Sequence, residues 1–238
     1  MNILVVNDDS IHAPGIHMLA RAATQLGNVW VVAPASQCSA MSQKLTLRDP
    51  MTLREIVDFP ADVKAAWEVG GTPVDCVKVA LYHILDEKPD LVLSGINNGY
   101  NAGFDIAYSG TLGAAFEAAR NGIPAIAVSA SSETHLCAVE EWLLPILQEL
   151  AAKKCGEGEV WNVNFPPMNE NPPKGILRER VPAKSSMFSE CYTEVTASDG
   201  SKSLSCRGIP VPDEALGTGT DGEAVRMGYI SIGKVSAF

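Results

Sequence analysis

Short, unbroken apolar runs alternate with stretches of helical period along the first two-thirds of the chain, and this rhythm restricts the fold more than any single residue does. "NILVVN" (2–7), "VWVVAP" (29–34), "DLVLSG" (90–95) and "IPAIAVS" (123–129) lack the polar alternation of a half-exposed strand. Such runs belong to strands covered on both faces, as in a parallel sheet. After the first run, Ile16, Leu19, Ala20, Ala23 and Leu26 share one helical face, with Pro14 near the start and Gly27 at the end. In "GGTPVDCVKVALYHIL", Thr72 is the expected cap, Pro73 suits the first turn and Asp75 completes a T-x-x-D capping box. Val74, Val77, Leu81, Ile84 and Leu85 then form the buried stripe. Further helices are expected near 110–121 and 134–152, the second kinked or split by Pro145. "KLTLR" and "MTLREIV", parted by Asp49-Pro50, predict a hairpin or a sheet extension.

Strands alternating with helices predict an α/β fold, a Rossmann-like, doubly wound and mainly parallel sheet. In such sheets ligands bind outside the carboxyl ends of the strands. After about residue 155 the texture changes: "VWNVNFPP", "SECYTEV", "SLSCRGI" and "GYISI" are strand-like, with Gly, Pro, Ser and Asn between them. The expected division is a Rossmann-like core over 1–154 and a β-rich extension over 155–238 that completes the domain.

The formal net charge of -10 excludes a broad nucleic-acid face, which needs a basic stripe, but not a small phosphorylated ligand whose charge a cation can offset. No basic leader precedes "NILVV", and no run approaches the roughly 18 apolar residues of a membrane span, so a cytoplasmic protein is expected. The six cysteines, Cys38, Cys76, Cys137, Cys155, Cys191 and Cys206, show no metal-type spacing and read as reduced thiols.

The first strand ends in two adjacent carboxylates, Asp8 and Asp9, which repel each other unless a positive charge lies between them. At the edge of a parallel sheet they can face one ion, and hard cations such as Mg²⁺ and Mn²⁺ prefer such oxygen ligands. The alternative is that the pair favours the following helix through its dipole. Two more loops leave strand ends at the same edge. "PASQCSAMSQ" is rich in hydroxyls and amides, and "INNGYNAGFDIAYSGTLGAA" is dense in Gly, Asn and Ser. In the latter, "SGT" opens a helix, where backbone N–H groups and the hydroxyls of Ser109 and Thr111 can cradle a phosphate, although Ser/Thr capping is routine. GxxxxGK[ST], G-x-S-x-G and HExxH are absent and no GxGxxG follows the first strand, which argues against nucleoside triphosphatases, serine hydrolases, zincins and dinucleotide enzymes. Of the histidines, His12 is near the aspartates, while His83 and His135 read as ordinary helix residues.

With these loops in place the chain resembles the SurE family, survival proteins that act as metal-dependent 5′/3′-nucleotidases. The resemblance rests on "NDDSIHAPGI", "VVAPASQCSAMS", "GGTPVDCV", "SGINNGYNAGFDIAYSGTLGAA", "GIPAIAVS", "NVNFP", "GTGTDGEAV" and "GYISI", in that order. It implies a divalent cation, Mg²⁺ or Mn²⁺, held by Asp8, Asp9, Ser39 and Asn97, with Asp8 and Asp9 catalytic. It places Ser109, Gly110 and Thr111 at the substrate phosphate, with Asn7 and Asn101 as supporting or substrate contacts. It further implies hydrolysis of nucleoside monophosphates and a homodimer or homotetramer. Ser10 and Ala40 stand where the family has glycine, and a φ > 0 at either would strain the loop. The loop also lacks the basic residue that often precedes the family's serine. Two other functions are consistent with these residues: a phosphatase for another metabolite or short polyphosphate, and a non-catalytic metal or nucleotide binder with a relaxed site. A receiver-type domain is excluded, because "DLVLSGINN" supplies no phospho-acceptor aspartate.

Overall fold

A computed structural model describes residues 1–132, 134–153, 155–168 and 171–236, with the side chain of Cys137 outside those described. The four apolar runs become β1 (Asn2–Val6), β2 (Asn28–Pro34), β5 (Leu91–Asn98) and β6 (Ala125–Ala130). Together with β3 (Leu53–Glu55), β4 (Ala65–Val69), β7 (Glu159–Phe165), β8 (Ile176–Arg180) and β11 (Ile230–Ser236) they form one nine-stranded sheet, ordered β3-β4-β2-β1-β5-β6-β7-β11-β8. The six strands from β4 through β7 in that order are parallel; β3 and β11 each run antiparallel to their inner neighbour. β7, β8 and β11 therefore extend the same sheet, while β9 (Phe188–Thr196) and β10 (Lys202–Pro210) pair only with each other as an exposed hairpin.

Helices cover both faces. On one, α1 (Pro14–Thr24) and α4 (Leu136–Ala151) bury Ile16, Leu19, Leu143 and Leu147 against Ile3, Val5, Leu93 and Ile126. On the other, α2 (Pro73–Val79) and α3 (Gly110–Arg120) bury Val77, Leu112 and Ala115 against Leu4, Val6 and Val92. The alternation of sides along β1 explains why its run is continuously apolar. A short helix, α5 (Asp221–Arg226), precedes β11 and is capped by Thr220.

The capping box at Thr72 and Asp75 is present, and α2 continues as a π-helical turn over Ala80–Ile84. Pro145 lies inside α4 without splitting it. The hairpin expected from 44–48 and 51–57 is corrected: the antiparallel partner of β3 is β4, and "KLTLR" forms no strand. Its backbone is spent on α2 instead. Thr46 donates to the Asp75 carboxylate through both its N–H, at 3.1 Å, and its hydroxyl, at 2.7 Å. The Lys44 carbonyl accepts from the Thr72 hydroxyl at 2.6 Å.

Candidate metal and phosphate site

β1 lies between β2 and β5, so the chain leaves it first towards one side of the sheet and later returns to the other. Such a switch point opens a crevice at the carboxyl ends of the strands. Asp8 and Asp9 follow β1, Ser39 sits on the loop after β2, Asn97 is the last residue but one of β5, and Ser109 caps α3, which Gly110 and Thr111 open. Hydrogen bonds tie these segments together. The Cys38 N–H donates to the Asp8 carbonyl at 2.7 Å, and the Asn98 N–H donates to Asp9 Oδ2 at 2.9 Å. Thr111 donates to both oxygens of Asp8, from its N–H to Oδ2 at 3.2 Å and from its hydroxyl to Oδ1 at 2.9 Å. Asp8 thus sits at a helix N-terminus, but that of α3; α1 begins at Ala13-Pro14 without a side-chain cap.

Asp8 is 4% exposed, and burial, with Asp9 adding repulsion, pushes its carboxyl up to about 6 against the opposing Thr111 hydrogen bonds. A buried carboxylate beside a second carboxylate is an arrangement that a cation relieves. Asn97 Nδ2 donates to the Gly99 carbonyl at 2.9 Å, which leaves Oδ1 as the free end of the amide. Asn7 Nδ2 closes the loop on the Ser10 carbonyl at 2.7 Å, while its buried Oδ1 has no partner among the described residues. Ser39 is exposed, one residue beyond the Cys38 amide bound to Asp8. Among the described residues no group of three or more His, Cys, Asp or Glu side chains assembles. Two carboxylates, an amide oxygen and a hydroxyl instead make an all-oxygen donor set, suited to a hard divalent ion that keeps some waters.

The Ser109-Gly110-Thr111 turn holds the first of these carboxylates through Thr111. Ser109 Oγ accepts from the Leu112 N–H at 3.1 Å as the cap of α3, and Thr111 is engaged with Asp8, so Gly110 N–H is the donor of the turn without a partner among the described residues. A Cβ on Gly110 would lie 3.1 Å from Asp8 Oδ2 and 3.2 Å from Pro73, so only glycine fits here without displacing the carboxylate. Asn101 lies deeper, in a buried amide network: its Nδ2 donates to Ser129 Oγ at 2.8 Å, and its carbonyl accepts from Asn162 and Asn164 at 2.8 and 3.1 Å. His12 is exposed and 3.3 Å from Glu68, which also pairs with Arg54.

A cavity of about 460 Å³ opens beside Asp9 and Asn97. Pro14, Ile96 and Leu136 give it apolar walls; Gln37, Ser131 and Thr134 supply polar groups. Sequence patterns did not bring these residues together as a site; they come from four separate segments. Gln37 alone carries a local signal, lying in the hydroxyl- and amide-rich loop; its Nε2 is 3.4 Å from Asp9 Oδ1.

A family model described as "Survival protein SurE" matches residues 3–187. The chain belongs to the SurE family. A protein named 5′-nucleotidase SurE 1, from Thermus thermophilus, is 38% identical over 239 residues, covering 99% of this chain and 92% of that one. 5′-Nucleotidase SurE from Synechococcus is 37% identical, covering 98% of this chain and 90% of its own length. The crystal structure of the SurE protein from Aquifex aeolicus superposes with a TM-score of 0.82 at 33% identity, covering 99% of this chain and 93% of that one.

The two positions at which the resemblance led to an expected glycine fall on left-handed backbone: Ser10 has φ 93° and Ala40 φ 56°. Side chains there crowd the neighbouring carbonyl, at roughly 1–2 kcal/mol for a full left-handed residue. Ser10→Gly is therefore expected to stabilise the protein by about 0.5–1 kcal/mol after the entropy of the added glycine is subtracted. Thermal melting checks this: a rise of about 1–4 °C is expected, and a fall would show that Ser10 is not strained.

Proposed function

We infer that this protein is a metal-dependent phosphomonoesterase that hydrolyses nucleoside 5′- and 3′-monophosphates to nucleoside and phosphate. The observation that carries the reading is the convergence of the loops bearing Asp8, Asp9, Ser39 and Asn97 at the switch point of the sheet, beside a cavity of about 460 Å³. Asp8, Asp9, the Ser39 hydroxyl and Asn97 Oδ1 would hold a divalent cation, Mg²⁺ or Mn²⁺. When bound there, such an ion polarises a phosphoryl oxygen and lowers the pKa of bound water. Gly110 N–H, at the positive end of the 11-residue α3, favours the phosphate oxygens, which gain charge in the transition state. Thr111 fixes the Asp8 carboxylate through both of its oxygens. Asn7 holds the loop through Ser10, and Asn101 supports the floor through Ser129.

The cavity separates the candidate substrates. Its described lining contains Asp9 and no lysine or arginine. An uncharged nucleoside suits such a wall, whereas the extra phosphates of a polyphosphate would be left without a counter-charge. The same reading includes a homodimer or homotetramer, supported by the hairpin. Phe188, Tyr192, Leu204 and Ile209 are all exposed on it, and Tyr192 stands opposite Cys206 on the same face as the Glu194–Leu204 pair. Tyr192→Glu combined with Leu204→Glu is expected to halve the mass measured by light scattering, and an unchanged mass would remove the hairpin from the interface. Among the described residues no helix is long and apolar enough to cross a membrane. A cytoplasmic setting suits the free thiols of Cys38 and Cys76.

The test is phosphate release from a panel of nucleoside monophosphates after chelation, followed by addition of Mg²⁺ or Mn²⁺. Metal-restored release, with nucleotides preferred to pyrophosphate and sugar phosphates, is the expected result. No release from any nucleotide by folded, metal-loaded protein would overturn the reading.

A further inference from the structure

A second cavity, of about 670 Å³, lies away from the catalytic edge. It sits beneath the C-terminal end of α4, against β7, β11 and β8, with Leu150, Trp161 and Ile232 as its apolar floor. Trp161 pairs with Ile126, four residues down the strands from the Ala130–Phe165 pair at the catalytic edge, a displacement of about 13 Å.

Two departures from regular sheet geometry shape this cavity. Between the Ser231–Leu177 and Gly233–Arg180 pairs, β8 carries one residue more than β11, and the extra residue, Glu179, has φ 57°. A Cβ on Gly233 would lie 2.0 Å from the Arg180 carbonyl, so the bulged strand approaches β11 this closely only over glycine. Bulges re-aim the side chains around them and cluster at sites of function. Here the bulge turns Arg178, Glu179 and Arg180 all towards the cavity.

The charges are unevenly satisfied. Glu149 takes Arg178 at 2.8 and 2.5 Å and Lys153 at 2.6 Å, and these bonds hold its carboxyl down to about 2, so one carboxylate serves two cations. Lys234 lies 5.1 Å from the centre of the Trp161 ring and 3.4 Å from Glu159. Arg180 donates from Nε to the Arg178 carbonyl at 2.9 Å and has no ion pair among the described residues. The lining cations Lys153, Arg178, Arg180 and Lys234 outnumber the lining acids Glu149 and Glu179 by two, in a chain whose net charge is -10. The buried indole N–H of Trp161 has no partner among the described residues.

We propose that this cavity is a second ligand site, taking a phosphorylated molecule with a flat ring, a nucleotide in chemical class, with the ring against Trp161 and Val181 and the phosphate on Arg180 and Lys153. A guanidinium without a carboxylate partner matches phosphate bidentately, and an indole beside aliphatic walls takes a planar ring. Neither group depends on the catalytic residues, so the site stands independently of the reaction inferred above.

The experiment is calorimetric titration of the full chain, held in chelator, with adenosine monophosphate and with inorganic phosphate. It compares the natural protein with Arg180→Ala, Trp161→Leu and Asp9→Asn. The expected result is saturable nucleotide binding, weakened at least about 10-fold by Arg180→Ala and by Trp161→Leu and unchanged by Asp9→Asn, with phosphate alone binding at least about 10-fold more weakly. Arg180→Ala removes a half-exposed side chain and keeps the test valid should Trp161→Leu fail to fold. Three results would overturn the proposal: no saturable binding, binding lost in Asp9→Asn but kept in Arg180→Ala, or phosphate binding as tightly as the nucleotide. So would a change in assembly mass as the only effect of Arg180→Ala, since a second copy of the chain would then be what covers the cavity.

Discussion

Asp8→Asn is expected to abolish metal-dependent phosphate release while making the chelated protein more stable at pH 7.5. The loss of activity should exceed about 100-fold, because removing even an outer partner of a metal ligand costs about 10–100-fold. The stability gain follows from linkage. The Asp8 carboxyl is raised from 3.8 to about 6 in the folded protein, so the fold binds its proton more tightly than the unfolded chain does. Its contribution is fully present below the unfolded value of 3.8 and is lost as pH rises through about 6. At about 1.4 kcal/mol per pH unit, the ionised side chain costs the metal-free fold on the order of 3 kcal/mol at pH 7.5. Asparagine removes that charge but offers Thr111 one acceptor where the carboxylate offered two, so a net gain of about 1–2 kcal/mol, or 2–8 °C, is expected. The gap between variant and natural protein should close as pH is lowered towards 4. Saturating metal should reverse the ranking, since only the natural protein gains from binding, by about 2.7 kcal/mol at 100 times Kd. A lower melting point for Asp8→Asn at both pH 7.5 and pH 5 in chelator would mean that Asp8 is a structural hydrogen-bond acceptor, not a charge held for a cation.

Gly15→Ala is expected to be strongly disruptive, both to the fold and to the site. Gly15 is the second residue of α1, and a Cβ there would lie 2.2 Å from the Ile96 carbonyl oxygen. The obstacle is backbone, not the movable end of a side chain, so α1 and β5 must separate. Overpacking of this kind costs about 1–3 kcal/mol, and with backbone as the obstacle the upper end, about 3 kcal/mol or 6–12 °C, is expected. The displaced strand carries Asn97 and the displaced helix follows Asp9, so the two proposed metal ligands move apart. A misplacement of about 1 Å at a reacting centre can cost about 100-fold in rate. Thermal melting and phosphate release at 25 °C check both halves. An unchanged melting point would show that the two backbones can part at little cost.

Much of the fold was legible because local rules and tertiary packing agree in it. β1, β2, β5 and β6 are the four apolar runs, and the Thr72–Asp75 box is read from four residues. Ser10 and Ala40 stood out as residues where left-handed backbone favours glycine, and both have positive φ. Legibility failed where a local pattern was diverted. The alternation in "KLTLR" meets α2 and not a strand, because Asp75 is a stronger partner for the Thr46 N–H than an open sheet edge. β4 went unread because "AAWEV" is only partly apolar and is stabilised by its place beside β2.

At the site, the division is sharper. Sequence by itself determined the donor chemistry: two adjacent carboxylates, hydroxyl- and amide-bearing loops, and a helix opened by Ser109-Gly110-Thr111. Only the tertiary structure decided that Thr111 clasps Asp8, that Asn97 turns its amide nitrogen away, and that Pro14, Ile96 and Leu136 wall one cavity. The physical reason is the order of the strands. Hydrophobic periodicity dictates which residues are buried, but it is indifferent to which strand lies beside β1. The placing of β2 and β5 on its two sides, set by packing over the whole sheet, brings residues some 90 positions apart within hydrogen-bond distance, as in the bond from the Asn98 N–H to Asp9.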